Sequence, residues 1–324
     1  MKIFFLIFTL GSIMTSTAQI KVILDTDIDS DVDDVQALAM LHSYHELGMI
    51  DLLGVVVTSS DTFSYQCVDA INTYYQRPDI PVGFLKQQKT LNNFSKYTKQ
   101  ISTAFPHDIK STNQTTESAR LYRKLLIESE DNSVIIVTIG HLTSLQNLLQ
   151  SEGDDLSPLT GKELVAEKAK KWLCMGGTFP EGKEANFYRP DPAATFYCLE
   201  NWNKEVIFSG WEVGNQILTG GAYLKSRLNQ DNPVYLGYEL YNKFAGRPAW
   251  DQVAVMLLDE ATALNYFDID YKGYVTVQRD GSNKWHSGKR LPGTHHAIVS
   301  IKEGIDPKDI ARTMDDLILN FNSN

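Results

Sequence analysis

Three cysteines in 324 residues, at 67, 174 and 198, are too few and too scattered to make a disulfide framework. Each has apolar or aromatic neighbours, so they read as buried, inert thiols, with one disulfide as the alternative. Positive charge is also scarce. Lys and Arg number 30 against 40 Asp and Glu, a formal net charge of −10, and no basic stripe gathers along the chain. Neutralising phosphate needs clustered Lys and Arg, so a nucleic-acid partner is not expected. Past residue 20 no apolar run is long enough to span a bilayer, so no membrane span is expected either. Internal repeats are absent.

The first eighteen residues differ in kind. Lys2 is followed by Ile3-Phe-Phe-Leu-Ile-Phe-Thr-Leu10 and then by small residues ending Ser16-Thr-Ala18. A charged start, a short apolar centre and a small-x-small site read as a secretory signal peptide. The expectation is an exported chain, periplasmic or secreted, cut near Ala18, with a single domain over 19–324. No cysteine stands near the cut to carry a lipid.

What the chain has in excess is aspartate in one place. Six fall within ten residues, Asp25-Thr-Asp27-Ile-Asp29-Ser-Asp31-Val-Asp33-Asp34. An apolar run, Ile20-Lys-Val-Ile-Leu24, precedes them as a buried strand, and Val35-Gln-Ala-Leu-Ala-Met-Leu-His follows at helical spacing. A solvated acidic loop is the bland alternative, but this turn is squeezed between two core elements. Like charge packed there needs a cation, and oxygen-only ligands suit a hard divalent one, Ca²⁺ before Mg²⁺.

Downstream, strands and helices alternate. Strands are expected over 52–58, 80–84, 133–139, 171–175 and 205–208, and helices over 64–75, from 143, and over 192–199. This predicts an α/β fold: a mostly parallel central sheet flanked by helices. The segment 86–116 is polar and without periodicity, as in a lid or binding loop. Past 266 the alternating runs predict a small antiparallel appendage, then a closing helix over 307–321. His295-His296 lie in such a run, where adjacent side chains face opposite ways, so they read as structural. Ligands of open parallel sheets bind at the strands' carboxyl ends. There the chain carries Asp25 to Asp34, Thr58-Ser-Ser-Asp61, and Gly176-Gly-Thr followed by Glu184-Ala-Asn186. Farther on, Arg247-Pro-Ala-Trp250-Asp251 opens a helix, where a carboxylate also serves as a simple cap.

Two other acidic-loop readings fail. A calcium-binding EF-hand loop starting at Asp25 would need Gly at 30 and Glu at 36, where Ser30 and Gln36 stand. A haloacid-dehalogenase-type phosphatase pattern has Thr or Val where Asp29 stands.

The ordered set resembles the nucleoside hydrolases of the inosine–uridine-preferring type. It comprises Asp25-Thr-Asp27, Asp33-Asp34, Thr138-Ile139-Gly140-His-Leu-Thr143, Gly176-Gly177 … Glu184-Ala-Asn186, and Asp251. The resemblance spans roughly residues 20–320. It implies calcium-dependent hydrolysis of the N-glycosidic bond of ribonucleosides, with a small-molecule nucleoside as partner and a tendency to homo-oligomers. By resemblance, Asp27, Asp34, Asp251 and the Ile139 carbonyl hold the metal, and Asp27 takes the water's proton. Asp33, Glu184 and Asn186 bind the sugar. Asp61 stands where Asn is usual and meets a ribose hydroxyl, while Trp250 stands where some members have His and stacks on the base.

The turn between the aspartate pairs is longer than usual, so Asp31 shares or replaces a metal contact. A loop His-Gly-x-x-Gly is missing, leaving His107 and Tyr97 as leaving-group acids unless they are ordinary loop residues. Aromatics at 223, 235, 238, 241 and 244 form either a stacking wall or core. A binder of nucleosides or ribosyl compounds without turnover, or a hydrolase of a non-nucleoside ribosyl compound, are the alternatives.

Overall fold

The computed structural model describes residues 19–86, 95–289 and 291–321; the expected signal peptide lies outside them. Nine strands form one sheet, in spatial order Phe267–Asp270, His295–Ile301, Glu205–Ser209, Ala169–Met175, Val134–Thr138, Ile20–Thr26, Ile50–Val57, Val82–Phe84 and Thr116–Glu117. Every neighbouring pair is parallel except the edge pair of Phe267–Asp270 with His295–Ile301. Near-continuous Val, Ile and Leu in the central strands match a sheet covered on both faces. One apolar cluster, including Leu24, Val55, Val137 and Leu173, packs on one face. A second, with Ile23, Val56, Ile136 and Trp172, packs on the other.

The α/β expectation and the antiparallel appendage are both present. The appendage is a three-stranded sheet of Val275–Val277, Asn283–Trp285 and Glu181–Gly182. The 297–301 run instead completes the main sheet, in parallel with Glu205–Ser209. His295 is exposed and His296 buried, with its Nδ1 accepting from the Val275 amide at 3.1 Å. Among its described residues, the 86–116 segment is less loop-like than its composition suggests. It holds the helix Thr98–Ala104, a turn of 3₁₀ helix and the short strand Thr116–Glu117. All three cysteines are free and buried.

The strand order turns at Ile20–Thr26. From there the chain progresses outward through Ile50–Val57 on one side and through Val134–Thr138 on the other. Such a reversal opens a crevice beyond the carboxyl ends of the strands. Asp25 pairs in register with Thr138 and Val56, so the aspartate turn begins at the mouth of that crevice.

Candidate active site

A cavity of about 350 Å³ sits over this reversal, lined by Asp27, Ser30, Asp31, Asp33, Asp34, Ile139, Met175, Glu184, Asn186, Trp250 and Asp251, with Arg189, Trp211 and Arg247 beside them. Its size is that of a small-molecule site. A larger hollow, about 580 Å³, lies beside the strands' amino ends; there Lys171 pairs with Glu260 at 2.6 Å. It lacks the convergence of carboxylates seen at the carboxyl end.

Asp33 and Asp34 occupy the first turn of the helix Asp33–Glu46, and Asp251 the first turn of Trp250–Met256. Helix N-termini favour negative charge, which partly offsets the mutual repulsion. The two helices pack on each other and are tied by polar side chains one step behind the acids. Gln252 Nε2 donates to Gln36 Oε1 at 3.4 Å, and Tyr238 donates to the same oxygen at 2.5 Å. Gln36 Nε2 in turn donates to Asp315 Oδ1 at 2.9 Å. With the helices fixed, carboxylate oxygens of Asp33, Asp34 and Asp251 lie within 4.8 Å of one another, and none of the three residues is more than 4% exposed.

Burial pushes these carboxyls upward. Asp34 and Asp251 stand well above the usual carboxylate range, first through burial and then through neighbouring aspartates. Burial and the charge of Asp31 raise Asp33 to about 7 against the pull of Arg247. Asp27 is likewise raised well above its ordinary value, by burial and then by Asp29, Asp31 and Asp33. Asp33 Oδ1 is buried and accepts no hydrogen bond. Acceptors crowded this way, one of them orphaned, fit a hard cation.

Two glycines shape the floor. A Cβ at Gly140 would fall 2.6 Å from Asp27 Cγ and 2.7 Å from the Asp27 amide nitrogen, so only glycine lets the Ile139–Gly140 turn approach Asp27. Gly177 has φ +81°, open to glycine at no steric cost, and its amide donates to Glu184 Oε2 at 3.1 Å. Glu184 Oε1 accepts from the Asn186 amide at 2.9 Å. Burial nevertheless raises Glu184 to about 7. Asn186 Nδ2 donates to the Ile139 carbonyl at 3.3 Å, so the pair expected to bind sugar adjoins the carbonyl expected to hold the metal.

The other aspartates have separate tasks. Tyr122 donates to Asp25 at 2.8 Å, and Thr58 donates to its second oxygen, anchoring the turn. Asp29 is buried and accepts from Ser59. Asp31 lines the cavity but is engaged by Arg247 Nη2 at 2.5 Å and by the Tyr241 hydroxyl at 2.9 Å.

Not every expected residue converges. Asp61 is not among the cavity residues: its Oδ1 accepts from the Phe63 amide at 3.1 Å and its Oδ2 from the Thr98 hydroxyl at 2.5 Å. Neither Tyr97 nor His107 lines the cavity. Tyr97 is buried and donates to the Asp31 carbonyl, while His107 Nδ1 meets the Phe105 carbonyl at 3.2 Å. Tyr238 and Phe244 are core, and Tyr223 donates to Asp316 far along the chain. Arg189, Trp211 and Arg247 were not expected. Of these, Arg247 stands just before the helix that opens at Trp250, but no local signal in the sequence marks it.

The family profile described as inosine-uridine preferring nucleoside hydrolase matches residues 22–306. The chain belongs to that family. Nucleoside hydrolase folds also match in three dimensions. A purine-preferring ribonucleoside hydrolase from Gardnerella vaginalis superposes with a TM-score of 0.70 at 15% identity, covering 93% of this chain and 98% of that one. A plant nucleoside hydrolase, PpNRh1, gives 0.65 at 17% identity over the same shares. The type III effector protein XopQ, complexed with adenosine diphosphate ribose, gives 0.69 at 15% identity, covering 94% and 95%. No curated protein matches the sequence.

Proposed function

We propose that this nucleoside hydrolase family member cleaves the N-glycosidic bond of ribonucleosides with a bound Ca²⁺, releasing free base and ribose. The observation that carries the reading is the convergence of Asp27, Asp33, Asp34, Asp251, the Ile139 turn, Glu184 and Asn186 on one cavity. Asp27, Asp34, Asp251 and the Ile139 carbonyl would hold the cation. When bound, it supplies charge that acidifies and fixes a water and takes the ribose hydroxyls. Asp31 is the less favoured metal ligand, since Arg247 and Tyr241 already engage its oxygens.

The chain's own residues do the rest. Asp27, its carboxylate beside the proposed cation, accepts the proton of the attacking water. Asp33, through its unpartnered Oδ1, accepts from a ribose hydroxyl. Glu184 and Asn186 orient the sugar. As the C1′–N bond lengthens, positive charge grows on the ribosyl ring, and the surrounding carboxylates stabilise it. Trp250 offers a ring face to the base. Asp61 would act only indirectly, through Thr98 and the turn at Phe63.

A second reading keeps the chemistry but changes the substrate to a ribosyl compound that is not a nucleoside. It draws on Arg189, an exposed cation at the cavity rim, and on the likeness to an effector described with adenosine diphosphate ribose. A base-release assay over a panel of nucleosides and ribosyl phosphates, with and without calcium, separates the two. Calcium and ribose binding with neither base release nor cleavage of any ribosyl compound would sink both and leave a binding protein. The reading also includes export after cleavage near Ala18, one domain over 19–324, and assembly as a homo-oligomer.

A further inference from the structure

Breaking the C1′–N bond leaves an electron pair on the departing base, and that pair needs a partner. The cavity provides few. Among the described residues, no histidine, tyrosine or lysine lines it. His141 is buried, with its Nδ1 2.9 Å from the Thr143 hydroxyl, and is not among the cavity residues. The indole N–H of Trp250 is committed to the Trp211 carbonyl at 3.0 Å. The Asn186 amide is committed to the sugar side, at the Ile139 carbonyl. Arg189 is exposed and lies over the Tyr188 ring at 5.5 Å, on the segment that carries Glu184 and Asn186.

Arg247 is different. Its guanidinium lies 4.6 Å over the Trp250 ring, next to the residue proposed to meet the base, and 5.4 Å over Tyr241. Asp31 Oδ2 holds its Nη2 at 2.5 Å, and Tyr241 holds the other oxygen of Asp31. The side chain is 21% exposed, and Nε has no hydrogen-bond partner although Asp33 Oδ1 is 4.0 Å away. A fixed, half-buried cation with an unpartnered Nε–H, set beside Trp250 in a cavity rich in carboxylates, has a donor left to give.

We propose that Arg247 is the leaving-group residue: it stabilises the departing base through its positive charge and N–H donors, without giving up a proton. This rests on the hydrolase reading above. A guanidinium stays protonated throughout, so it cannot act as an acid. In the step, the C1′–N pair moves to the base nitrogen, the water oxygen bonds C1′, and the water's proton passes to Asp27. The base leaves as an anion held by Arg247 and is protonated by solvent. Asp31 and Tyr241 are positioning residues that orient the guanidinium.

The test compares two leaving groups on the calcium-loaded protein. Inosine releases a base that needs stabilising, whereas a nitrophenyl riboside releases a phenolate that does not. For Arg247→Met the expected fall in kcat is 10²–10³-fold larger on inosine than on the aryl riboside, and Arg247→Lys recovers part of it. The double variant Asp31→Asn/Arg247→Met, which removes the Asp31 carboxylate together with its ion-pair partner, should show the same ratio, and thermal melting reports whether each variant is folded. Equal falls on both substrates, or none on either, would overturn the role of Arg247 and leave the hydrolase reading intact. If the wild-type protein releases neither base nor phenol, the hydrolase reading itself fails, and this role with it.

Discussion

Removing divalent cation should cost this protein measurable stability, and the structure gives the scale. Asp33, Asp34 and Asp251 present oxygens within 4.8 Å of one another while almost fully buried. Two unit charges at that distance repel by roughly 3 kcal/mol at an effective dielectric constant of about 20. A cation bound at about 100 times its dissociation constant stabilises by about 2.7 kcal/mol, a rise in Tm on the order of 5 °C for a chain of this size. The assay is calorimetry or fluorescence-monitored melting in chelator, then with calcium restored, at pH 5 and pH 7.5. The rise should shrink at pH 5, because protons compete for the raised carboxyls. Asp34→Asn should melt higher than the wild type in chelator, through lost repulsion, and gain little from calcium. An unchanged Tm in millimolar calcium, or a full rise retained in both Asp34→Asn and Asp251→Asn, would refute the cation site.

Gly140→Ala would force a methyl into Asp27 and its backbone; kcat should fall by about 10²-fold, read by steady-state kinetics, while a wild-type rate would deny that the close approach matters. Asp61→Asn should change kcat/KM only a few-fold, because Asp61 serves Thr98 and Phe63 and lies outside the cavity lining; a loss of about 10²-fold would put it on the substrate after all. Asp315 tests the sign of a buried carboxyl away from the acids. Burial raises it to about 6 against hydrogen bonds from Gln36 and the Gly220 backbone. Because its folded value exceeds the unfolded one, the folded state binds the proton more tightly, and stability drains away as pH rises from about 4 to about 6. Asp315→Asn should flatten that part of the pH–stability curve, by at most about 3 kcal/mol; an unchanged slope counts against it.

The sequence made the fold legible where period and punctuation agreed. Apolar runs ending in Asp25, Thr58, Thr138 and Met175 are central strands, and each delivers a turn to the same edge. That shared edge brings the turns of Asp27, Ile139 and Glu184 together, while the assignment of Ile139 and Asp251 to the site came from the resemblance to the nucleoside hydrolases. Legibility failed where side-chain direction decides. Asp61 follows a strand as the functional acids do, but its turn bends it onto Thr98. The 297–301 run alternates like an appendage strand, yet it finds parallel partners in the main sheet, which local pattern cannot specify. Arg247 reads as an ordinary charged residue. Its role depends on meeting Asp31, 216 positions earlier, across the cavity.

The most direct test is turnover in ¹⁸O-labelled water with inosine or uridine, following free base by chromatography and the label by mass spectrometry. The account predicts one base and one ribose per event, with ¹⁸O at C1, abolished by chelation and by Asp27→Ala and restored in the wild type by calcium. Calcium and ribose binding with no base released, or base release at full rate in chelator, would contradict it.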